Sequence, residues 1–122
     1  SYAHNISTML LGGIIDPCDM CTRHSSPESC WVDVNFNYIF LGATGYSESS
    51  GFTSGNDKAE YLLKKNIMGK TDKTVILMDS TKIGKSSCYT SARPADVDIV
   101  ISDGELPKEI VDRFTAEGIV IM

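Results

Sequence analysis

The chain has 122 residues, of which 42% are hydrophobic and 22% charged, and its formal net charge is −5. This length suits one domain with its own core, so we expect a single domain over residues 1–122. The acidic excess argues against a DNA-binding surface, because proteins that grip nucleic acid neutralise its phosphates with a basic patch. No apolar run approaches the ~20 residues of a membrane-spanning helix, and the first residues lack the features of a signal peptide. The composition therefore predicts a cytoplasmic domain that contacts no membrane.

Five short apolar runs recur along the chain, at residues 6–11, 38–41, 74–78, 97–101 and 119–122. They are bounded by Gly, Asp or Pro and are rich in β-branched residues. Such runs are typical of strands that are buried on both faces of a sheet.

A cluster of cysteine and histidine residues lies between the first two runs. Cys18, Cys21, His24 and Cys30 are chemically suitable zinc ligands, because Zn²⁺ favours thiolate and imidazole groups. A structural zinc site normally combines two close pairs separated by a longer loop, and this segment offers one Cys-x-x-Cys pair. We therefore expect a loop with reduced cysteines that leads into a short helix over residues 27–35, with zinc as the alternative. No other metal or cofactor is expected.

Residues 56–70 have the spacing of an amphipathic helix. Asp57 followed by Glu60 resembles a capping box, and Gly69 is a plausible end of the helix. The apolar residues that fall on one stripe of the helix are Ala59, Leu62, Leu63 and Ile67.

A second helix is predicted within residues 106–119. Pro107 suits its first turn and Gly118 its end. The residues expected to face inward are Ile110, Val111 and Phe114. Strands that alternate with helices indicate a three-layer α/β domain with a mostly parallel sheet and right-handed crossovers.

The segment "MDSTKIGKSS", residues 78–87, ends in Gly-Lys-Ser as nucleotide phosphate loops do. A Walker-type loop needs Gly at its first position and a helix directly after it. Asp79 stands at that first position, and the following "SSCYTSARP" is a poor helix former. The sequence therefore argues against a nucleotide hydrolase.

The position of this lysine-rich loop is nevertheless that of a ligand site. It follows a predicted buried strand, as does the glycine-rich "FLGATG", and ligands of open parallel sheets bind outside the carboxyl ends of the strands. Lys82 would be the charge partner of a small anion, with Thr44 and Thr53 offering hydroxyl groups. The alternative is that the glycines only make turns, that Lys82 is solvated, and that Glu60 and Lys64, one helical turn apart, form an ordinary surface pair.

Several motifs occur in an order and spacing that resemble the DeoR-family effector domain. They are "YIFLGATG", "GFTSG", "AEYLLKKNI", "VILMDSTKIGKSS", "VDIVISD" and "GIVIM". "DSTKIG" resembles the family's Asp-Ser-Ser-Lys-Phe-Gly signature, and "FLGATG" resembles its Phe-Leu-Gly-Ala-x-Gly signature. The resemblance extends over about residues 6–122 and is strongest after Tyr38.

This resemblance implies the sugar-phosphate-sensing half of a bacterial transcription repressor, with a fold like that of pentose-phosphate isomerases and coenzyme A transferases. It implies an N-terminal winged helix-turn-helix, which this chain lacks, and a homo-oligomer. We therefore expect a fragment that meets DNA only through the missing domain. The implied ligand-binding residues are Gly42, Ala43, Thr44, Glu60, Lys64, Asp79 and Lys82.

Two other functions stay open on the sequence. A sugar-phosphate isomerase would need a catalytic base, for which Glu60, Asp79 and Asp103 are the candidates, although none lies in a recognisable catalytic pattern. A purely structural oligomerisation domain would use aromatic side chains such as Trp31, Phe36 and Tyr38 as subunit anchors.

Overall fold

The computed structural model describes residues 5–10, 14–18, 21–23, 33–55 and 57–122. The chain divides into two compact units, Ser1–Val32 and Asp33–Met122. The single domain over residues 1–122 stays a prediction, and each unit is described by itself below.

The first unit contains a small antiparallel pair of strands, β1 (Ile14–Asp16) and β2 (Cys21–Arg23). The strand predicted over residues 6–11 is wrong for residues 6–10, which form no strand and are exposed. An apolar run becomes a buried strand only when a neighbouring strand and a second layer cover it. The predicted helix over residues 27–35 lies largely outside the described residues, and residues 33–35 are not helical.

The second unit is built on a four-stranded parallel sheet. Its strands, in spatial order, are β3 (Phe36–Gly42), β6 (Thr71–Leu77), β8 (Ile99–Ile101) and β9 (Val120–Ile121). These are the four later apolar runs, so the predicted α/β class with a mostly parallel sheet is confirmed.

A second, antiparallel sheet was not predicted. Its strands are β4 (Gly45–Ser47), β5 (Gly51–Ser54) and β7 (Tyr89–Ala92), with β5 in the centre. The hairpin between β4 and β5 is possible because Gly51 adopts a positive φ of 71°.

The predicted helices are α1 (Lys58–Met68) and α2 (Lys108–Ala116). The Asp57 carboxylate caps α1 by accepting hydrogen bonds from the backbone N–H groups of Ala59 (2.7 Å) and Glu60 (3.3 Å), and Gly69 is the C-cap, as predicted. The predicted apolar stripe of α1 is wrong in part, because Ala59 is exposed and Leu62 is 48% exposed.

The first turns of α1 face β7 instead of the main core. Tyr61 of α1 stacks on Tyr89 of β7, with ring centroids 5.0 Å apart, whereas Ile67 and Met68 at the other end pack against the core. In α2 the prediction is confirmed for Phe114, which is fully buried, and for Ile110, which packs against the core. Val111, the third residue expected to face inward, is only half-buried.

The two faces of the parallel sheet differ sharply. The covered face carries Ile39, Leu41, Ile76 and Val100, which pack in one cluster with residues of both helices and of the antiparallel sheet. On the opposite face, called the open face below, the exposed large hydrophobic residues are Tyr38, Phe40, Leu77, Ile101 and Val120. The expectation that these strands are buried on both faces is therefore wrong, because the helices and the second sheet all pack on one side.

An aromatic triad closes the covered face. Tyr46, Phe52 and Phe114 come from the two strands of the hairpin and from α2, and their ring centroids lie 4.8–5.4 Å apart. Tilted and edge-on rings at this separation are the favoured arrangements of aromatic pairs. The triad therefore fixes the antiparallel sheet and α2 against the parallel sheet.

Candidate functional site

Two loops meet at the carboxyl ends of the neighbouring strands β3 and β6. The first is the Gly42–Gly45 turn, and the second is the lysine-rich loop of residues 78–88. The N–H of Gly84 donates to the Tyr46 carbonyl at 2.8 Å, and the N–H of Ala43 donates to the Leu77 carbonyl at 3.3 Å. The two loops that the sequence singled out therefore contact each other at this end of the sheet. The space between them, called the crevice below, is where the sequence predicts a ligand.

Gly45 lets the two loops approach closely. A Cβ atom at this position would lie 2.3 Å from the carbonyl oxygen of Lys85, which is far inside van der Waals contact. At Gly42, by contrast, an added Cβ would meet nothing within 4 Å. Gly45 therefore brings the loops together, and Gly42 borders open space.

Lys82 ends a short 3-10 helix, Ser80–Lys82, directly after β6. The Asp79 carboxylate caps this helix by accepting hydrogen bonds from the Thr81 hydroxyl and from the Thr81 N–H, the latter at 2.9 Å. These bonds, with a smaller contribution from the charge of Lys82, hold the pKa of Asp79 below its ordinary value of 3.8. Lys82 is half-buried, and within the described residues it forms no ion pair.

Asp103, at the end of β8, fixes the same loop from the other side. Its carboxylate accepts hydrogen bonds from the Ser80 hydroxyl (2.9 Å), the Ser80 N–H (3.2 Å) and the Glu105 N–H (3.1 Å). These bonds, that from the Glu105 N–H foremost, lower the pKa of Asp103. Both carboxylates therefore stay ionised near neutral pH and hold the start of the lysine-rich loop in place.

The predicted pair on α1 is formed. Lys64 Nζ lies 2.8 Å from Glu60 Oε1, with the Lys64 side chain only 15% exposed and Glu60 40% exposed. Glu60 also lies beside Gly55, where an added Cβ would be 3.5 Å from Glu60 Oε2. This pair is more enclosed than an ordinary surface pair, and it borders the end of β5.

Thr53 of β5 links the Gly42–Gly45 turn to this region. Its carbonyl accepts the N–H of Thr44 at 2.9 Å, and two residues later the chain reaches Gly55 beside Glu60. Gly42, Ala43 and Thr44 thus lie at the carboxyl end of β3, and Asp79 and Lys82 lie just after β6. Their joint role in ligand binding stays a prediction. Ala43 is buried in the core, so only its backbone faces this crevice.

Sequence reasoning missed Ser86 and Ser87 in the lysine-rich loop. The Ser87 hydroxyl lies 2.5 Å from that of Thr44, and the Ser86 hydroxyl lies 3.3 Å from that of Ser47. A run of small polar residues after Gly84 was visible, but nothing in it indicated partners about 40 residues earlier in the chain.

An open depression of about 320 Å³ lies elsewhere, at the amino end of β6. Its lining includes Lys65 and three carboxylates, those of Asp72, Asp96 and Asp98. This concentration of negative charge would repel a phosphate. The charges at the carboxyl ends of the strands are therefore a better guide to a phosphate site than the size of this depression.

The described residues contain no group of three or more His, Cys, Asp or Glu side chains that could hold a metal ion. Of the proposed zinc ligands, Cys18 is exposed, while the side chains of Cys21, His24 and Cys30 lie outside the described residues. Trp31, one of the three suggested aromatic anchors, also lies outside them; Phe36 is half-buried and Tyr38 exposed.

Comparison with known families identifies the type of domain. Residues 1–104 match the family described as the DeoR C terminal sensor domain. The chain belongs to this family. The family resemblance predicted from the sequence is therefore confirmed.

The sensor domain is also similar to individual transcriptional regulators. It is 26% identical over 117 residues to the HTH-type transcriptional regulator GolR of Listeria innocua, covering 96% of this chain and 46% of GolR. It is 28% identical over 113 residues to the HTH-type transcriptional regulator GlpR of Haloferax volcanii, covering 93% of this chain and 44% of GlpR. A shorter stretch of 58 residues is 40% identical to the HTH-type transcriptional regulator IolR of Bacillus subtilis, covering 48% of this chain and 23% of IolR. The chain thus spans slightly less than half the length of GolR and GlpR.

Among the residues that the structure describes, neither helix is long and apolar enough to cross a membrane.

Proposed function

We propose that this sensor domain binds a phosphorylated sugar in the crevice at the carboxyl ends of β3 and β6. The observation that carries the proposal is Lys82, a half-buried cation that forms no ion pair within the described residues and ends the short helix directly after β6. The charge of Lys82 acts on the nearby Asp79 without forming an ion pair with it, and a phosphate would supply a direct negative partner. The remaining ligand contacts would come from Gly42, Ala43 and Thr44.

Asp79, Glu60 and Lys64 have supporting roles in this proposal. Asp79 caps the short helix that ends in Lys82, so it fixes the backbone that carries this lysine. The Glu60–Lys64 pair borders the end of β5, on the side of the crevice to which Thr44 is bonded. A ligand that bridges the two loops would therefore also sense the position of α1.

The whole protein would be a transcriptional repressor with a DNA-binding helix-turn-helix part and a homo-oligomeric assembly. The names of GolR and GlpR, both HTH-type transcriptional regulators, support this proposal. The acidic net charge of −5 is consistent with DNA contact through another part of the protein. The ligand would bind one arrangement of the protein better than the other. Ligand binding would then change the affinity for operator DNA, and DNA binding would change the affinity for the ligand by the same coupling free energy.

The carboxylates argue against an isomerase. Asp79 and Asp103 accept several hydrogen bonds from their own loops and have lowered pKa values, which makes them weaker proton acceptors. Glu60 is paired with Lys64. Neither Asp79 nor Asp103 has the raised pKa expected of a catalytic base that acts near neutral pH.

The proposal is tested by replacing Lys82 with methionine, which keeps the length of the side chain and removes its charge. A charge-assisted contact with a phosphate is worth about 1.5–3 kcal/mol, so Lys82→Met should weaken sugar-phosphate binding roughly 10-fold to 100-fold. Titration calorimetry with glucose, fructose and ribose monophosphates would measure this.

The matched control is Lys108→Met, which removes an exposed lysine at the start of α2. It changes the net charge by the same amount and should leave the affinity unchanged. Equal affinities of Lys82→Met and the unaltered chain would contradict the proposed role of Lys82.

A further inference from the structure

We propose that the Thr44–Ser87 hydroxyl pair is the part of the crevice that recognises a sugar hydroxyl group, with Ser87 as a specificity-determining contact. This inference rests on the proposed function, because it concerns the same crevice. It adds a residue that is not among the ligand-binding residues implied by the family resemblance, and assigns it to the sugar rather than to the phosphate.

The two hydroxyl groups are brought together from distant parts of the chain. Thr44 follows β3 and Ser87 precedes β7, and their oxygens lie 2.5 Å apart on the exposed side of the loops. Thr44 is exposed and Ser87 half-buried, so a ligand in the crevice can reach both. Gly42, with open space around it, lies two residues from Thr44.

One buried residue positions both members of the pair. Thr53 is only 1% exposed; its carbonyl accepts the Thr44 N–H at 2.9 Å, and its hydroxyl accepts the Ser87 N–H at 2.9 Å. The Thr53 hydroxyl in turn donates to the Gly45 carbonyl at 3.3 Å. The backbones on both sides of the pair are thus fixed by the same interior side chain, which is the preorganisation expected of a binding contact.

The number of protons available indicates what the pair binds. Each hydroxyl has one proton and two lone pairs. The Thr44 hydroxyl can donate its proton to the Thr53 carbonyl at 3.2 Å, and Ser87 then donates to Thr44 across the 2.5 Å contact. In this arrangement both protons are used, and Ser87 presents lone pairs to the crevice.

A hydroxyl oxygen with unused lone pairs can accept a hydrogen bond from a donor group of the ligand. Sugar hydroxyls are donors, whereas a fully ionised phosphate only accepts. The phosphate is therefore assigned to Lys82, and the Ser87 oxygen to a hydroxyl of the sugar. The crevice would recognise the charge of the phosphate at one end and the arrangement of the sugar hydroxyl groups at the other.

The test compares two kinds of probe, inorganic phosphate and the monophosphates of glucose, fructose and ribose, each titrated into the 122-residue chain. Ser87→Ala should weaken the best-bound sugar phosphate about threefold to tenfold, the loss expected for one neutral hydrogen bond. Its affinity for inorganic phosphate should not change. Lys82→Met should weaken both probes.

The matched control is Ser86→Ala, which removes the neighbouring hydroxyl that lies 3.3 Å from Ser47 Oγ. It should leave the affinity for every probe unchanged. Thermal unfolding of both serine variants checks that the fold is retained.

The outcomes separate this inference from the proposed function. If Ser87→Ala binds every sugar phosphate as tightly as the unaltered chain does, the role of Ser87 is wrong and the sensor function stands. If Ser87→Ala weakens inorganic phosphate as much as sugar phosphates, the assignment to a sugar hydroxyl is wrong. If the unaltered chain binds neither kind of probe, the proposed function fails, and the role of Ser87 fails with it.

Discussion

The covered and open faces of the parallel sheet are built from the same strands and the same kinds of residue, yet their surroundings are opposite. In β3, Ile39 and Leu41 are buried, while the alternating Tyr38 and Phe40 are 55% and 60% exposed. The pattern continues across the sheet, where Ile76 and Val100 are buried and Ile101 is exposed. A strand composed entirely of apolar residues therefore does not by itself determine that both of its faces are buried.

The difference arises from where the remaining elements pack. Tyr46 and Phe52 of the antiparallel sheet, the end of α1 and the inner face of α2 all join the core on the covered face. On the open face only Val75, flanked in register by Phe40 and Ile99, is buried, since neighbouring strands shield the centre of the sheet. The free energy of folding of the second unit should therefore depend mainly on the covered face.

The largest effect is expected from Phe114→Ala on the covered face. Phe114 is fully buried and contacts both Tyr46 and Phe52. Truncating a buried Phe leaves a cavity and costs about 3–5 kcal/mol. Chemical denaturation followed by circular dichroism should show this loss in the free energy of unfolding, and a loss below that range would mean that the triad collapses to fill the space.

The same substitution on the open face, Phe40→Ala, should have a much smaller effect. Full burial of such a side chain is worth about 1.5–3 kcal/mol, and Phe40 remains 60% exposed, with only a loose contact to Tyr38 at 6.2 Å between ring centroids. We expect a loss of about 1 kcal/mol in the same denaturation experiment. A loss equal to that of Phe114→Ala would show that the open face is covered in solution. It would contradict the claim that the stability depends mainly on the covered face.

The strands and helices could be predicted because their signals are local. The apolar run before Asp79 predicts β6, and Asp57 predicts the start of α1 through hydrogen bonds within its own first turn. Which face is covered could not be predicted, because it depends on elements far away in the sequence. The exposure of Leu62 has the same origin, since that part of α1 faces β7 and not the core.

The candidate site likewise has one part that could be predicted from the sequence and one that could not. The meeting of the Gly42–Gly45 turn with the lysine-rich loop could be expected, since the carboxyl ends of adjacent parallel strands share one edge of the sheet. The pairing of Thr44 with Ser87 could not, because it depends on the unpredicted antiparallel sheet and on the buried Thr53 that holds both loops.

The smallest predicted effect concerns a polar defect in the covered face. Tyr46 is 1% exposed, and its hydroxyl forms no hydrogen bond of normal geometry with the described residues, although the Arg113 side chain lies close enough to lower its pKa. Burial raises the pKa of Tyr46 above 10.0, although the nearby Arg113 acts in the opposite direction. A buried hydroxyl without a partner opposes folding, because it loses its hydrogen bonds to water.

Tyr46→Phe should therefore raise the free energy of unfolding by about 0.5–1 kcal/mol, since it removes the hydroxyl and keeps the ring in the triad. The matched control is Tyr38→Phe on the open face, where the side chain is 55% exposed, so this change should leave the stability within about 0.5 kcal/mol. Both values come from chemical denaturation. If Tyr46→Phe instead lowers the stability, the hydroxyl has a partner in solution. Arg113 is the group to test, because its guanidinium already influences the pKa of Tyr46.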